Sequence, residues 1–460
     1  MPDLLKFEQL WKKRYLCSML NKDYISHYKA TVRLGLPIVV GQLGVIILGF
    51  ADTMMVGHYD TNSLAAVSFV NNLFTLVTIM LLGFSYGITP IVGALFSQKQ
   101  QFKVGETVRN ALITNGIYGS LLIGIMLVLY FFVDRMGQPA ELLPLIRPYY
   151  ITILISMIFV VIFNVFRQFT DGIMRTSIAM WILIGGNLTN ILFNYLLIYG
   201  KFGFPEWGLL GAGISTMGSR ILMALVYVVL FLSAKAFSQY REGFLKGKTH
   251  IGSIKSIAHI STPISLQMGM ETGSFTFSAI MVGWLGAIEL ASYQVMVTIS
   301  TLGFMFYYSI GAAIAIRISS YMGADDMRNV KMAAKSGYHI LLLLCVIAST
   351  VFFTLDDVLI SAFTDDEAVR AVAASLIAPL MLYQFGDATQ ICFANALRGT
   401  SHVVSMIWIA FFSYLVVGIP TAYLLGFPLG FGEKGIFYSF STGLFTAAIL
   451  FYLQFRKVTR

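Results

Sequence analysis

Residues 265–286, SLQMGMETGSFTFSAIMVGWLG, decide how the whole chain is read. The segment has membrane length and an apolar character, yet one carboxylate, Glu271, sits close to its middle. The nearest charges along the chain are Lys255 and Glu289, and at about 1.5 Å per helical residue each lies on the order of 24 Å away. A carboxylate near the bilayer midplane costs roughly several kcal/mol unless it is protonated, paired with a cation or facing water. Ion or ligand handling is therefore the first expectation for this residue.

The composition places the segment in a membrane. Of 460 residues, 57% are hydrophobic and 12% charged, against about 25% charged in a soluble domain. Apolar runs recur along nearly the whole chain, which a large soluble core does not require. A net charge of +9 would suggest nucleic acid in a soluble protein, but here the basic residues are sorted by loop. Cys17, Cys345 and Cys392 are odd in number and lack metal-ligand spacing, so neither a disulfide framework nor a zinc site is expected. The first 33 residues lack the continuous apolar core of a cleavable signal. Their stretch DLLKFEQLWKKRYLCSML, with Leu4, Phe7, Leu10 and Trp11 on one face, reads as an interfacial helix.

About twelve spans are expected, near 34–56, 64–96, 111–133, 149–168, 178–200, 209–234, 258–286, 290–316, 336–355, 368–397, 402–425 and 435–455. With both termini cytoplasmic, the outer connections hold only Arg135, Arg147, Lys201, Arg370 and Lys434, as the positive-inside rule asks. The halves also repeat. LPIVVGQ and TPISLQM align Pro37 with Pro263, MVG at 55 falls on MVG at 281, FTDGIMRTS at 169 on FANALRGTS at 393, and Gly208 on Gly435. The expected fold is an all-α membrane protein of two six-helix bundles, 34–234 and 258–455, related by a pseudo-twofold axis along the membrane normal. A segment 1–33, a basic connector 235–257 and a tail 456–460 lie outside them. The central cavity between bundles is the expected substrate path, and the connector reads either as the hinge between halves or as a plain solvated inner loop.

Three acids lie deep in apolar surroundings: Asp52, Glu271 and Asp387. Acids such as Asp60, Asp326 and Asp366 fall in loops and read as solvated. Gln267 and Phe275 flank Glu271 at four residues on either side, and Tyr383 precedes Asp387 by four. A carboxylate beside an aromatic ring suits an organic cation, the ring adding about 0.5 to 2 kcal/mol when desolvated. Asn187, Asn190 and Asn194 form a polar stripe that either lines a cavity or bonds between helices. Arg220 either offsets a buried acid or snorkels.

These motifs resemble the multidrug and toxic compound extrusion (MATE) transporters, and within them the NorM-like branch, over nearly all of 30–455. GFADTMMVG, GMETGSF and YQFGDATQ match the motifs of the first, seventh and tenth helices, with their acids at Asp52, Glu271 and Asp387. FMFYYSIGAAIAIRISSYMG resembles the eighth-helix signature, and NILFNYLLIYGKFG the fifth-helix pattern with Asn190 and Asn194 in its asparagine places.

The resemblance implies a multi-pass protein of the bacterial inner membrane that exports cationic amphipathic compounds in exchange for sodium or protons. Glu271, Asp387 and Asp52 would couple the cation or proton. Tyr383, Asn190, Asn194, Gln267 and Phe275 would line the cavity, and Na+ would bind at Glu271 and Asp387. The implied partners are small organic cations and the lipid bilayer, with no nucleic acid, no obligate protein partner and no cofactor beyond the coupling ion. An alternative is a flippase of the same broad superfamily, carrying lipid-linked sugars or another metabolite. No HExxH, GxSxG or phosphate-binding Gly-rich loop is present in its required context, so no enzyme is expected.

Overall fold

The computed structural model describes residues 22–460, so the expected interfacial helix through Trp11, and Cys17, lie outside the described residues. Among the described residues all regular structure is helical. This is one of the two ways a chain can satisfy its backbone within lipid. In chain order the long helices are α1 (Lys22–Tyr59), α2 (Thr61–Ser97, interrupted at Tyr86 and Gly87), α3 (Gln101–Tyr130), α4 (Leu143–Gly172), α5 (Thr176–Ile198) and α6 (Gly208–Ser233). They continue with α7 (Ile251–Gly283), α8 (Ala287–Gly323), α9 (Met327–Thr354), α10 (Glu367–Ser375, bent by 47° into Ile377–Gly399), α11 (Val404–Gly426) and α12 (Gly432–Val458).

Ten of these are long and apolar enough to cross a membrane, and the bent pair of α10 makes eleven. The exception is α7, the helix of Glu271. At 33 residues it is long enough, but Gln267, Glu271, Thr272 and Ser274 dilute its apolar character. The segment is thus less lipid-like than its length suggests.

Three further differences have local causes. First, α1 is already helical at Lys22, the first described residue, rather than from near 34, and its turns around His27 and Thr31 pack on α8 and α9. Second, the connector is not a free tether. Its helix Ser238–Lys246 docks on α3, burying Phe237 and Tyr240, while Arg109 Nη1 donates to the Gly247 carbonyl at 2.9 Å. Third, several loop acids do more than face solvent. Asp60 accepts from Ser63 N at 2.8 Å, Asp326 from Asn329 N at 3.0 Å and Asp366 from Ala368 N at 2.8 Å, each capping a helix start. Those backbone bonds hold the Asp60 and Asp326 carboxyls below the usual range.

The apolar core is divided. Two clusters run from Val56 to Ala212 and from Ile88 to Ile257, and a third from Ile264 to Phe455. The first and second parts of the chain meet at several levels, one of them beside a groove lined by Tyr24, Thr459 and Arg460. There Arg317 of α8 donates to the His27 carbonyl at 2.9 Å and to Thr31 Oγ1 at 2.6 Å on α1. Gln98 Nε2 donates to the Gly323 carbonyl at 3.1 Å, and the Ser265 hydroxyl to the Met80 carbonyl at 2.8 Å. At Gly87 and Gly93 of α2 a Cβ would collide with Ser261 and Ser319 of α7 and α8, so glycine permits this close approach.

Candidate functional site

A cavity of about 580 Å³ opens between the two parts of the chain, lined by α1, α2, α7, α8, α10 and α12. Four of the sequence candidates, Glu271, Phe275, Tyr383 and Asp387, share its wall. Helical spacing explains the convergence. Glu271 and Phe275 are one turn apart on α7, and Tyr383 and Asp387 one turn apart on α10, so two facing helices each present an acid and a ring. The Phe275 and Tyr383 rings meet edge-on at 6.2 Å, and Phe440 of α12 closes the group at 4.8 Å from Phe275. Met268 and Met305 also line the cavity, whereas Tyr307 is fully buried in packing.

Gln267 stands behind this wall rather than on it. Completely buried, it donates Nε2 to Glu271 Oε2 at 2.7 Å and accepts at Oε1 from Arg398 Nη2, also at 2.7 Å. Arg398 gives a second bond to Asn395 Oδ1 at 3.3 Å. Gln390 Nε2 donates to the Tyr414 hydroxyl at 2.9 Å and lies 3.4 Å from Glu271 Oε2. Tyr414 comes from the π-helical stretch Phe411–Gly418 of α11, a local widening that tilts this hydroxyl toward the acid. Asp387 is 2% exposed, and its Oδ2 has no hydrogen-bond partner, nor has Gln390 Oε1.

Asp52, Asn190 and Asn194 gather elsewhere. Asn194 Nδ2 donates to the Asp52 carboxylate and, at 3.1 Å, to Asn190 Oδ1. A turned Asn190 amide gives Asp52 a second donor at 2.9 Å. Asn190 and Asn194 are fully buried, and none of the three lines the 580 Å³ cavity. Asn190 and Asn194 of the stripe therefore form an interhelical network joining α1, α5 and α6, whereas the buried Asn187 Nδ2 has no hydrogen-bond partner. Arg220 turns inward, donating to Ser156 Oγ at 2.6 Å within the field of Asp52, and so does not snorkel.

Sequence reasoning missed the basic side of this machinery. Arg167, Arg317 and Arg398 fall within the Lys and Arg expected in the inner connections, yet they are only 8%, 2% and 6% exposed. Arg167 pairs with Asp171 at 3.9 Å, a fourth deep acid, because α4 extends past the expected end at 168. Next to the cavity a void of about 30 Å³ is lined by Asp171 from one repeated motif, with Gln168 just before it, and by Asn395 and Arg398 from the other. The signal was present: the repeat had already paired FTDGIMRTS with FANALRGTS.

Comparison with known proteins agrees with this architecture. The chain is 29% identical over 421 residues to a probable multidrug resistance protein NorM of Photorhabdus laumondii, covering 91% of this chain and 92% of that one. It is 29% identical over 442 residues to a probable NorM of Listeria monocytogenes, covering 94% and 95%. The fold superposes on the eukaryotic MATE transporter AtDTX14 with a TM-score of 0.85 at 18% identity, over 95% of this chain and 98% of that one. The MatE family model matches twice, over residues 37–196 and 263–424, so its two copies start at the Pro37 and Pro263 that anchor the internal repeat. By these two matches, which together span most of its length, this multi-pass membrane chain belongs to the MatE family.

Proposed function

We propose that the protein is a secondary active multidrug exporter that expels cationic amphipathic compounds by antiport with Na+ or H+. One observation carries this reading: Glu271 and Asp387 face a largely apolar cavity beside the Phe275, Tyr383 and Phe440 rings. Such a wall offers charge and π-faces to a flat organic cation. Both relatives at 29% identity carry the name multidrug resistance protein, which supports the substrate class.

The arrangement suits competition between cargo and coupling ion. Two carboxylates at this depth need a proton, a metal cation or an organic cation close by. For Na+ as the transported ion, Asp387 Oδ2 and Gln390 Oε1 are buried oxygens without partners, the hard donors a small cation prefers. The bond from Gln267 keeps the Glu271 carboxylate fixed, while Gln267 in turn is held by Arg398. An ion bound here would meet a preset acid. Asp52 with Asn190 and Asn194 is a separate polar centre of the first bundle, away from the cavity.

The chain acts as two six-helix bundles, 34–234 and 258–455, with both termini cytoplasmic and a pseudo-twofold axis along the membrane normal. In this conformation the two parts are joined by Arg317 and Gln98 at the end of Tyr24 and Arg460, and by Ser265 nearer the middle of α7, which supports a cavity shut toward the cytoplasm. Alternating access then requires those contacts to part while the outer helix ends close. A flippase for lipid-linked sugars would want a basic cavity. Arg398 is the one cation among the described lining residues, and Gln267 and Asn395 already occupy two of its donors.

Ethidium export from proteoliposomes under an imposed Na+ gradient, and separately under a pH gradient, tests the proposal. Export driven by at least one gradient is expected. If neither drives export, or if Glu271→Gln and Asp387→Asn leave it intact, the reading is wrong.

A further inference from the structure

A second concavity, larger than the cavity between the two parts of the chain, lies elsewhere among the described residues. A groove of about 1160 Å³ lies on the second bundle at the end carrying the termini, between α9, α10, α12 and the first turn of α1. Its lining is graded. Lys331 and Lys335 of α9, Arg456 of α12 and Arg460 crowd the terminal end, while Phe393, Phe445, Ile449 and Tyr452 form the deeper part. Along α12 the face runs Phe445, Ile449, Tyr452, Arg456, one residue per turn. From Phe445 to Arg460 it covers about 22 Å, enough to reach from the headgroup layer into the acyl region.

Two features separate this groove from ordinary cytoplasmic basic loops. The four cations come from α9, α12 and Arg460 beyond it and converge on one hollow, and among the described residues no Asp or Glu side chain lines it. Each is exposed, and among the described residues none has an acidic partner. The deeper residues include Ile449, 57% exposed, and Tyr452, 43% exposed, so the apolar end opens toward the hydrocarbon. A ligand that fits both ends is an anion with an acyl tail.

We propose that this groove is a binding site for an anionic phospholipid, with the headgroup phosphate held by Lys331, Lys335 and Arg456 and an acyl chain laid along Phe445, Ile449 and Tyr452. The position gives the site a bearing on transport. Tyr24 of α1 belongs to the groove and stacks on His339 of α9 at 5.9 Å, so the lipid would sit across the seam where the first bundle meets the second. Binding there favours the conformation in which α1 and α9 are packed together.

The test uses delipidated full-length protein in a neutral detergent, titrated with phosphatidylglycerol or phosphatidylcholine and read by native mass spectrometry and thermal midpoint. Wild type is expected to retain phosphatidylglycerol about tenfold better than phosphatidylcholine, since each basic residue near a membrane surface favours an acidic lipid. The triple variant K331Q/K335Q/R456Q is expected to lose that preference, whereas K99Q/K103Q, basic residues outside the groove, keeps it. If the triple variant fails to fold, single K331Q and R456Q should each lose part of the preference. Equal retention of both lipids by wild type overturns the proposal, as does an unchanged preference in the triple or single variants. So does an equal loss in K99Q/K103Q, or equal stabilisation by inorganic phosphate. Lipid uptake only after deletion of residues 1–21 would make the chain's own amino-terminal segment the occupant.

Discussion

Asp52 and Glu271 are both membrane-depth acids bonded to carboxamides, yet their surroundings differ. Glu271 is held by Gln267 from behind and faces a 580 Å³ cavity with Asp387 across from it. Asp52 is held by Asn194 in a network whose partners are fully buried and away from that cavity. One half of the repeat turns its acid to a cavity, and the other bonds its acid into a network between helices. Duplicated bundles thus keep the helix geometry while the polar residues diverge: Glu271 falls on Val45 in the first half, and Asp52 on Ser278 in the second.

The largest test of this contrast is functional. Glu271→Gln and Asp387→Asn should each weaken cation binding by about 2 to 5 kcal/mol, the range for breaking a buried charge contact, and lower ion-driven export by roughly thirtyfold or more. Thermal midpoints should stay near wild type, because the amide keeps the carboxylate's shape. If both acids serve one site, the double variant should be little worse than either single one.

Accessibility gives the next largest effect. In a chain with its three native cysteines replaced, Thr272→Cys on the cavity wall should react with a water-soluble thiol reagent roughly tenfold faster than Asn190→Cys, following exposure. Substrate should slow the first reaction and leave the second unchanged. Comparable rates would erase the distinction between an open and a packed acid.

Stability is the third measure. Asp52→Ala deprives Asn194 of its acceptor and Arg220 of a nearby acid, which should destabilise the protein by about 1 to 3 kcal/mol, seen as a lower thermal midpoint. A full loss of export at an unchanged midpoint would move Asp52 into the same class as Glu271.

The smallest effect concerns the closed end. Arg317 is donor-only, so His27 Nδ1 must accept from it, leaving Nε2–H to donate to Asn329 Oδ1 at 3.1 Å. Protonation of His27 would set two cations face to face. Asp23 and Asp326 nearby soften this charge, and Tyr321 packs against the ring at 6.0 Å. Acidification should therefore shift the population away from the closed state only in part, because these acids offset the added charge. Distances between spin labels at Lys103 and Lys331 would report it, and His27→Asn should abolish the pH response.

The apolar runs, the loop charges and the repeat made the helical architecture legible, because membrane helices advertise themselves by length. Glu271, Asp387, Tyr383 and Phe275 were legible as a site because each acid has its ring one turn away on the same helix. Gln390, Tyr414 and Arg398 were not, since their meeting with Glu271 depends on how three helices pack. Arg398 and Arg317 were hidden for another reason. At a helix end, an arginine bound for the interior and one bound for the lipid headgroups have the same sequence surroundings, and only the partner helix tells them apart.

The polar character of α7 also bears on how the protein is made. A helix carrying Gln267, Glu271 and Thr272 enters lipid poorly by itself, since one ionised acid at the helix centre opposes insertion by roughly 3 kcal/mol. Its hydrogen-bonding partners Gln390, Arg398 and Tyr414 are synthesised more than a hundred residues later. During synthesis α7 must therefore wait beside the translocon, or lean on α2 and α3 through Met80 and Tyr118, until the last helices arrive. The polar residues that α7 turns to the cavity thereby make assembly of the second part of the chain depend on the first part being in place.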